Sequence, residues 1–185
     1  MSIRKGGCPP RSRYDCIVST STSINKDNSL LNCRIEGLNK NKPDLIIIDR
    51  HLKLKKELRL LNSSKQRKIY IFTLSNNKKK IYFLKKKKIK IIKIKKFENK
   101  IDFENLFKAI MKIGKGRVLI ESGLVFLKKL FKYKLINNLY LFKSNISLKK
   151  NGYNHNNISL IKKLKLVNKI KVNLFNDELF KLRVK

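Results

Sequence analysis

The sequence predicts an α/β fold with a mixed, mainly parallel sheet that ends in a C-terminal antiparallel hairpin. Three observations carry this reading. Short, predominantly apolar runs recur at Cys16-Ile17-Val18, at 44–49 (DLIIID), at 69–73 and at Val118-Leu119-Ile120. Runs of this length without alternation suit parallel-type strands. Between them lie segments with apolar residues at helical spacing, and 170–175 and 179–184 read as two strands joined through Asn176-Asp177. Strands that alternate with helices and then close on a hairpin give a mixed sheet.

Taken in order, 1–10 is a polar leader, where Gly6-Gly7 and Pro9-Pro10 oppose regular structure. Tyr14, Cys16, Ile17 and Val18 form the first strand, followed directly by a run of small hydroxyl side chains. Next come a lone acid in a polar turn, Lys26-Asp27-Asn28-Ser29, and a short apolar piece closed by Arg34. Small hydroxyls and one carboxylate at a strand end suit a pocket for a polyhydroxylated, phosphorylated ligand, since they give hydrogen bonds without bulk. On spacing alone, a strand followed by an ordinary Asp-Asn turn is the stronger reading.

Strands at 44–49 and 69–73 follow. Across 78–96, lysine runs alternate with Ile89, Ile91, Ile92 and Ile94. Lysines on a strand keep an exposed edge from pairing with other chains. Asp102 is the expected N-cap of a helix whose Phe103, Leu106, Phe107, Ile110 and Met111 share a face. The strand 118–120 then ends in Glu121, Ser122-Gly123 makes a turn, and 125–133 continues as a helix. Strand, glycine turn and helix N-terminus in that order make an anion site, because unpaired N–H groups and the helix dipole point at the turn. One glycine is weak evidence for a dinucleotide. Leu139, Leu141 and Phe142 begin another strand, and 145–157 is a polar loop.

Composition bounds the function. The 185 residues hold 47 Lys+Arg against 12 Asp+Glu, a formal charge of +35, with lysine far ahead of arginine. Lys, Asn and Ile abound, as A/T-rich codons dictate, so base bias explains the charge at least as well as a nucleic-acid role. Dedicated phosphate readers also favour arginine for its bidentate fork. Cys8, Cys16 and Cys33 form no C-x-x-C, and only His51 and His155 could assist them. No metal site or disulfide framework is expected, and a reducing cytoplasm is the natural setting. No apolar run nears the roughly 18–20 residues of a spanning helix, and no signal peptide is recognisable.

The segments RSRYDCIV, SINKDNSLLNCR, DLIIIDR and RVLIESGLVF occur in an order and spacing that resembles the C-terminal reductase domain of the bacterial riboflavin-biosynthesis bifunctional deaminase–reductase. The resemblance covers 11–185 and is weakest across 61–100. It implies a dihydrofolate-reductase-like three-layer fold, NADPH as cofactor, and reduction of 5-amino-6-(5-phosphoribosylamino)uracil to its ribitylamino product. It implies cofactor contacts at Ser23, Asp27, Arg50 and Gly123-Leu124-Val125, and substrate contacts at Leu31, Arg34 and Glu121. Arg50 replaces a small hydroxyl of many members. No catalytic side chain is implied. The upstream deaminase motifs H-x-E and P-C-x-x-C are absent, so deamination is not expected.

Each of these positions has a plainer role. Asp27 could bond its own turn, and Arg34 and Arg50 could be solvated charges. Glu121 is hardest to dismiss, because open α/β sheets bind ligands at the C-terminal ends of their strands. The family's first strand, which reads roughly K-x-A-x-S-L-D-G, finds no counterpart before Arg11, and the chain is expected to be N-terminally truncated relative to the family. Two other classes stay open. One is a basic RNA-binding or ribosome-associated protein with 78–96 on the phosphates, although most Phe and Tyr residues occupy buried periodic positions. The other is an inactive remnant of the reductase. A homodimer is left open, no membrane partner is expected, and nucleic acid is expected to bind only through charge.

Overall fold

The structure, a computed structural model, describes residues 11–33, 42–144, 146, 166, 168–171 and 177–184. It forms two compact units, one ending at Gly123 and one beginning at Leu124.

The first unit is built on five parallel strands: β1 (Cys16–Thr20), β2 (Asp44–Ile48), β3 (Ile69–Thr73), β4 (Lys90–Lys93) and β5 (Val118–Ile120), in the order β4-β3-β2-β1-β5. Ile17, Leu45, Ile47, Ile69 and Ile71 join one core cluster with Ile24, Leu31, Leu54, Leu60, Leu61 and Leu84. Their neighbours Cys16, Val18, Ile46 and Phe72 are fully buried as well. Both faces of the central strands are therefore covered, which is why these segments read as continuous apolar runs.

Helix α1 (Ser21–Asp27) follows β1 without a break. Thr20 caps it by accepting the Ser23 N–H, and Asn28 ends it in the left-handed region. Ser21, Thr22 and Ser23 thus form the first turn of a helix, whereas the sequence suggested a strand followed by a turn, with a strand-end pocket as the other reading. The side-chain oxygens find backbone donors that a helix leaves unpaired, which favours a cap over a loop. Helix α2 (Lys78–Lys86) takes the first half of the lysine-rich stretch, capped by Asn77. Only Lys90 and Lys93 lie on an edge strand, β4, and both are exposed.

Helix α3 (Lys100–Lys112) corrects two expectations. Its N-cap is Asn99 and not Asp102, which sits three residues in and completes a capping box by accepting the Asn99 N–H. Phe103, Leu106 and Ile110 are buried, whereas Met111 is 67% exposed, because the helix buries a narrower stripe than its apolar residues suggested.

The second unit contains α4 (Leu124–Lys132) and a separate antiparallel sheet in the order β6-β8-β7, with β6 at Asn138–Lys143, β7 at Lys169–Ile170 and β8 at Glu178–Arg183. The antiparallel strands thus form a sheet of their own. The pairing of Lys169 with Phe180 and Ile170 with Leu179 is the antiparallel pair expected near the C-terminus. The rest of the expected strand 170–175, apart from Lys171, lies outside the described residues, as do the leader 1–10, most of the loop 145–157, and His155.

Candidate functional site

Strands β1 to β4 step outward in one direction, and β5 returns to the other side of β1. This reversal makes β1 and β5 a topological switch point, where open α/β sheets form a crevice at the carboxyl ends of their strands. Ile120 pairs with Val18, so Ser122 stands level with Thr20. The Glu121 N–H prolongs the ladder by donating to the Val18 carbonyl at 2.9 Å.

Two sequence-predicted residues meet here. The Gly123 N–H donates to Ser23 Oγ at 3.0 Å, and Ser23 Oγ lies 3.1 Å from Thr20 Oγ1. Thr20 also accepts the Ser23 N–H at 3.3 Å. The Ser23 hydroxyl therefore accepts from one strand end while it sits in the first turn of α1. A Cβ at position 123 would meet only Ser23 Oγ, at 3.5 Å, which is ordinary contact. Leu124 and Val125 open α4 in the second unit, where Val125 is 67% exposed.

Glu121 has a partner that the sequence reading missed. Arg11 grips it with both prongs, Nε to Oε1 and Nη2 to Oε2, each at 2.6 Å. The two side chains are 30% and 29% exposed, so the pair is neither buried nor free in solvent. Arg11 Nη1 also donates to the Asn32 carbonyl at 2.7 Å. One guanidinium thus joins the end of β5 to the segment that follows α1. A planar five-donor fork allows this, and a lysine could not match it.

Leu31 lies in that segment with φ +48°, and its side chain is 6% exposed within the core cluster. Any ligand contact at Leu31 therefore falls to its main chain and not to its side chain. Arg34 lies outside the described residues. Asp27 ends α1, exposed, and makes no hydrogen bond among the described residues. The alternative in which its carboxylate bonds its own turn is not what the structure contains.

Arg50 follows Asp49 at the end of β2. Asp49 is 1% exposed and fully used: Oδ1 accepts from Ser21 Oγ at 3.0 Å and the Lys53 N–H at 2.8 Å, and Oδ2 accepts the Leu54 N–H at 2.8 Å. It fixes the start of α1 against the loop after β2. The Arg50 carbonyl accepts from the Leu74 N–H and from Thr73 Oγ1. Its Nε is buried and has no hydrogen-bond partner among the described residues, and the same holds for Ser122 Oγ. Native proteins leave few such atoms unpaired, and these two polar atoms stand at the carboxyl ends of β2 and β5.

The opposite end of the sheet is closed by charge. Asp44 pairs with Lys115 at 2.7 Å, and Asp15 accepts the N–H groups of Gly116 and Arg117 at 2.9 and 2.8 Å. The Asp44 ion pair raises the Lys115 ammonium above its ordinary range. Cys16 lies fully buried near this end, where desolvation pushes its thiol up to about 12 and so keeps it neutral and unreactive. Among the described residues, no three His, Cys, Asp or Glu side chains converge as metal ligands. No helix among them is long and apolar enough to cross a membrane.

Comparison with known proteins agrees with this layout. A family model described as the RibD C-terminal domain matches residues 10–146. No curated protein matches the chain. Among solved structures, RibD of Acinetobacter baumannii (form 1) is 15% identical with a TM-score of 0.69, covering 94% of this chain and 47% of that one. A diaminohydroxyphosphoribosylaminopyrimidine deaminase/5-amino-6-(5-phosphoribosylamino)uracil reductase from Thermotoga maritima is 17% identical with a TM-score of 0.66, covering 94% and 46%. The riboflavin biosynthesis reductase Rib7 of Saccharomyces cerevisiae is 18% identical with a TM-score of 0.68, covering 94% and 76%. At these identities the likeness is one of fold. The chain spans about half the length of the first two proteins.

Proposed function

This chain belongs to the RibD C-terminal domain family, and on that premise we propose that it is an NADPH-dependent reductase of riboflavin biosynthesis. Its substrate is 5-amino-6-(5-phosphoribosylamino)uracil, and its product is the corresponding ribitylamino compound. The observation that carries this reading is the construction of the switch point. There, the Gly123 N–H beyond β5 meets the Ser23 hydroxyl in the first turn of α1, and a bidentate arginine–carboxylate pair stands nearby.

The family as a whole implies a nicotinamide cofactor, and the residues present fit one. Ser122 Oγ and Arg50 Nε are buried polar atoms in want of partners, at strand ends where a phosphorylated, hydroxylated ligand would reach them. Ser23, Asp27, Arg50 and Gly123 would hold it, and the Arg50 cation together with the overall charge favours the coenzyme that bears the extra phosphate. When bound, the coenzyme supplies the hydride. The protein's own task is placement, since hydride transfer needs no protein nucleophile but does need the reacting carbons held close and dry.

Arg11 and Glu121 are suited to the substrate side. Their pair presents donors and acceptors in one plane, and Glu121 keeps Arg11 oriented. The Leu31 main chain and Arg34 complete the proposed substrate contacts. A cytoplasmic setting fits the buried free thiols of Cys16 and Cys33. Thermal unfolding at physiological salt with added NADPH or NADH tests the cofactor. NADPH is expected to raise Tm more than NADH. Equal or absent effects would count against the reductase, and RNA binding with a steep salt slope alone would favour a basic nucleic-acid binder.

A further inference from the structure

Arg67 is among the most unusual buried groups of the first unit. It is 7% exposed, yet no carboxylate among the described residues forms an ion pair with it. Its guanidinium instead donates to main-chain carbonyls: Nη2 to Leu30, and Nη1 to Leu31 at 2.9 Å and Pro43 at 3.5 Å. Nε reaches Ser63 Oγ at 3.4 Å. Desolvation brings the guanidinium down to about 10, so it stays charged at neutral pH at a cost that the carbonyl dipoles offset. A fold seeking only stability gains more from an apolar side chain at such a site.

What the arrangement does supply is a fixed main chain. The carbonyls of Leu30, Leu31 and Asn32 are consecutive. Arg67 takes the first two, and Arg11, itself locked to Glu121, takes the third. Between them Leu31 adopts φ +48°, a conformation that L residues avoid unless the surroundings impose it. Two guanidinium forks thus set the peptide planes of this segment from opposite ends.

We propose that Arg67 is a positioning residue for the substrate side of the site, holding the Leu30–Leu31 main chain in the register that Arg11 and Glu121 require. The assignment rests on the reductase reading and deepens it, since Arg67 acts through the segment and does not touch substrate. A lysine, with one ammonium on a flexible stem, cannot hold both carbonyls in the same geometry.

The test uses the full 185-residue chain and two variants, Arg67→Met, which keeps the apolar stem, and Arg67→Lys. Each is measured by hydrogen exchange across 28–33 and by calorimetric titration, separately with NADPH and with 5-amino-6-(5-phosphoribosylamino)uracil. Arg67→Met is expected to speed exchange in 28–33 while β1 to β3 keep their protection, to raise the substrate Kd at least tenfold, and to leave the NADPH Kd within twofold. Arg67→Lys should fall between, and it carries the test if the methionine variant fails to fold. Faster exchange with both constants unchanged, or a parallel weakening of both ligands, would make Arg67 a purely structural residue and overturn the proposal. A wild-type chain that binds NADPH but no substrate would instead overturn the reading of the substrate side, and this assignment with it. The wild-type substrate titration distinguishes the two failures.

Discussion

At the scale of single residues, the arginines separate themselves from the lysines. In a chain where lysine is the default cation, an arginine marks a place that needs a fork. Arg11 uses it on Glu121, Arg67 on two consecutive carbonyls, and Arg50 keeps a buried Nε without a partner among the described residues. That signal was present in the sequence. It went unread for Arg11 and Arg67 because a strongly basic chain makes every cation look solvated, and their partners lie 110 and 36 positions away. Glu121 was legible, because a carboxylate ending an apolar strand stands out among so few acids. Its neighbour Ser23 was legible through the resemblance, although its partner, the Gly123 N–H, was not. The pair gives a direct expectation. Glu121→Gln keeps the shape and removes the charge that orients Arg11, so the substrate Kd should rise at least tenfold and the NADPH Kd should hardly move. Calorimetric titration of the variant with each ligand checks this, and two unchanged constants would return the pair to a structural role.

At the scale of elements, apolar runs were read correctly wherever burial alone decides the outcome. Four of the five parallel strands, β1, β2, β3 and β5, fall on such runs, β4 falls in the lysine–isoleucine stretch, and α3 and α4 fall on their periodic segments. Misreadings concern ends, where side chains compete for backbone donors. The helix after β1 was hidden by its own caps, Thr20 and Asn28, which look like a loop in sequence. The N-cap of α3 was misplaced because Asn99 and Asp102 both have the right chemistry, and only the reciprocal bonds separate them. Asp15 shows how elements are sewn together. It precedes β1, and its carboxylate is held below the ordinary 3.8, chiefly by the Arg117 N–H, then also by the Gly116 N–H and the Arg117 side chain, just before β5. A carboxyl depressed in the fold contributes stability that is complete above 3.8 and is lost as pH falls through its folded value. Thermal melts taken downward from neutral pH should therefore show Tm falling once pH drops below about 4, with a smaller fall for Asp15→Asn. Identical profiles for the two chains would remove Asp15 from the β1–β5 junction.

At the scale of the whole molecule, the two edges of the parallel sheet differ. On β4 the lysines Lys90 and Lys93 guard the edge, whereas β5 offers only half-buried Val118, Leu119 and Ile120 and pairs with β1 alone among the described residues. Apolar edges of that kind invite another strand. We propose that the reductase requires one more strand of the type that opens the family's domain, with its S-L-D-G end, and that the 185 residues by themselves turn over slowly. The charge of +35 will draw any polyanion at low salt, so binding signals alone are a poor guide to function. Chemistry is the better judge. The decisive measurement is NADPH oxidation at physiological salt with 5-amino-6-(5-phosphoribosylamino)uracil, made on the 185-residue chain and on the same chain extended by an S-L-D-G strand and its helix. Substrate-dependent consumption of NADPH is expected, orders of magnitude faster in the extended chain. Full activity in the shorter chain would contradict only the need for the strand, whereas no substrate-dependent oxidation in either would contradict the reductase itself.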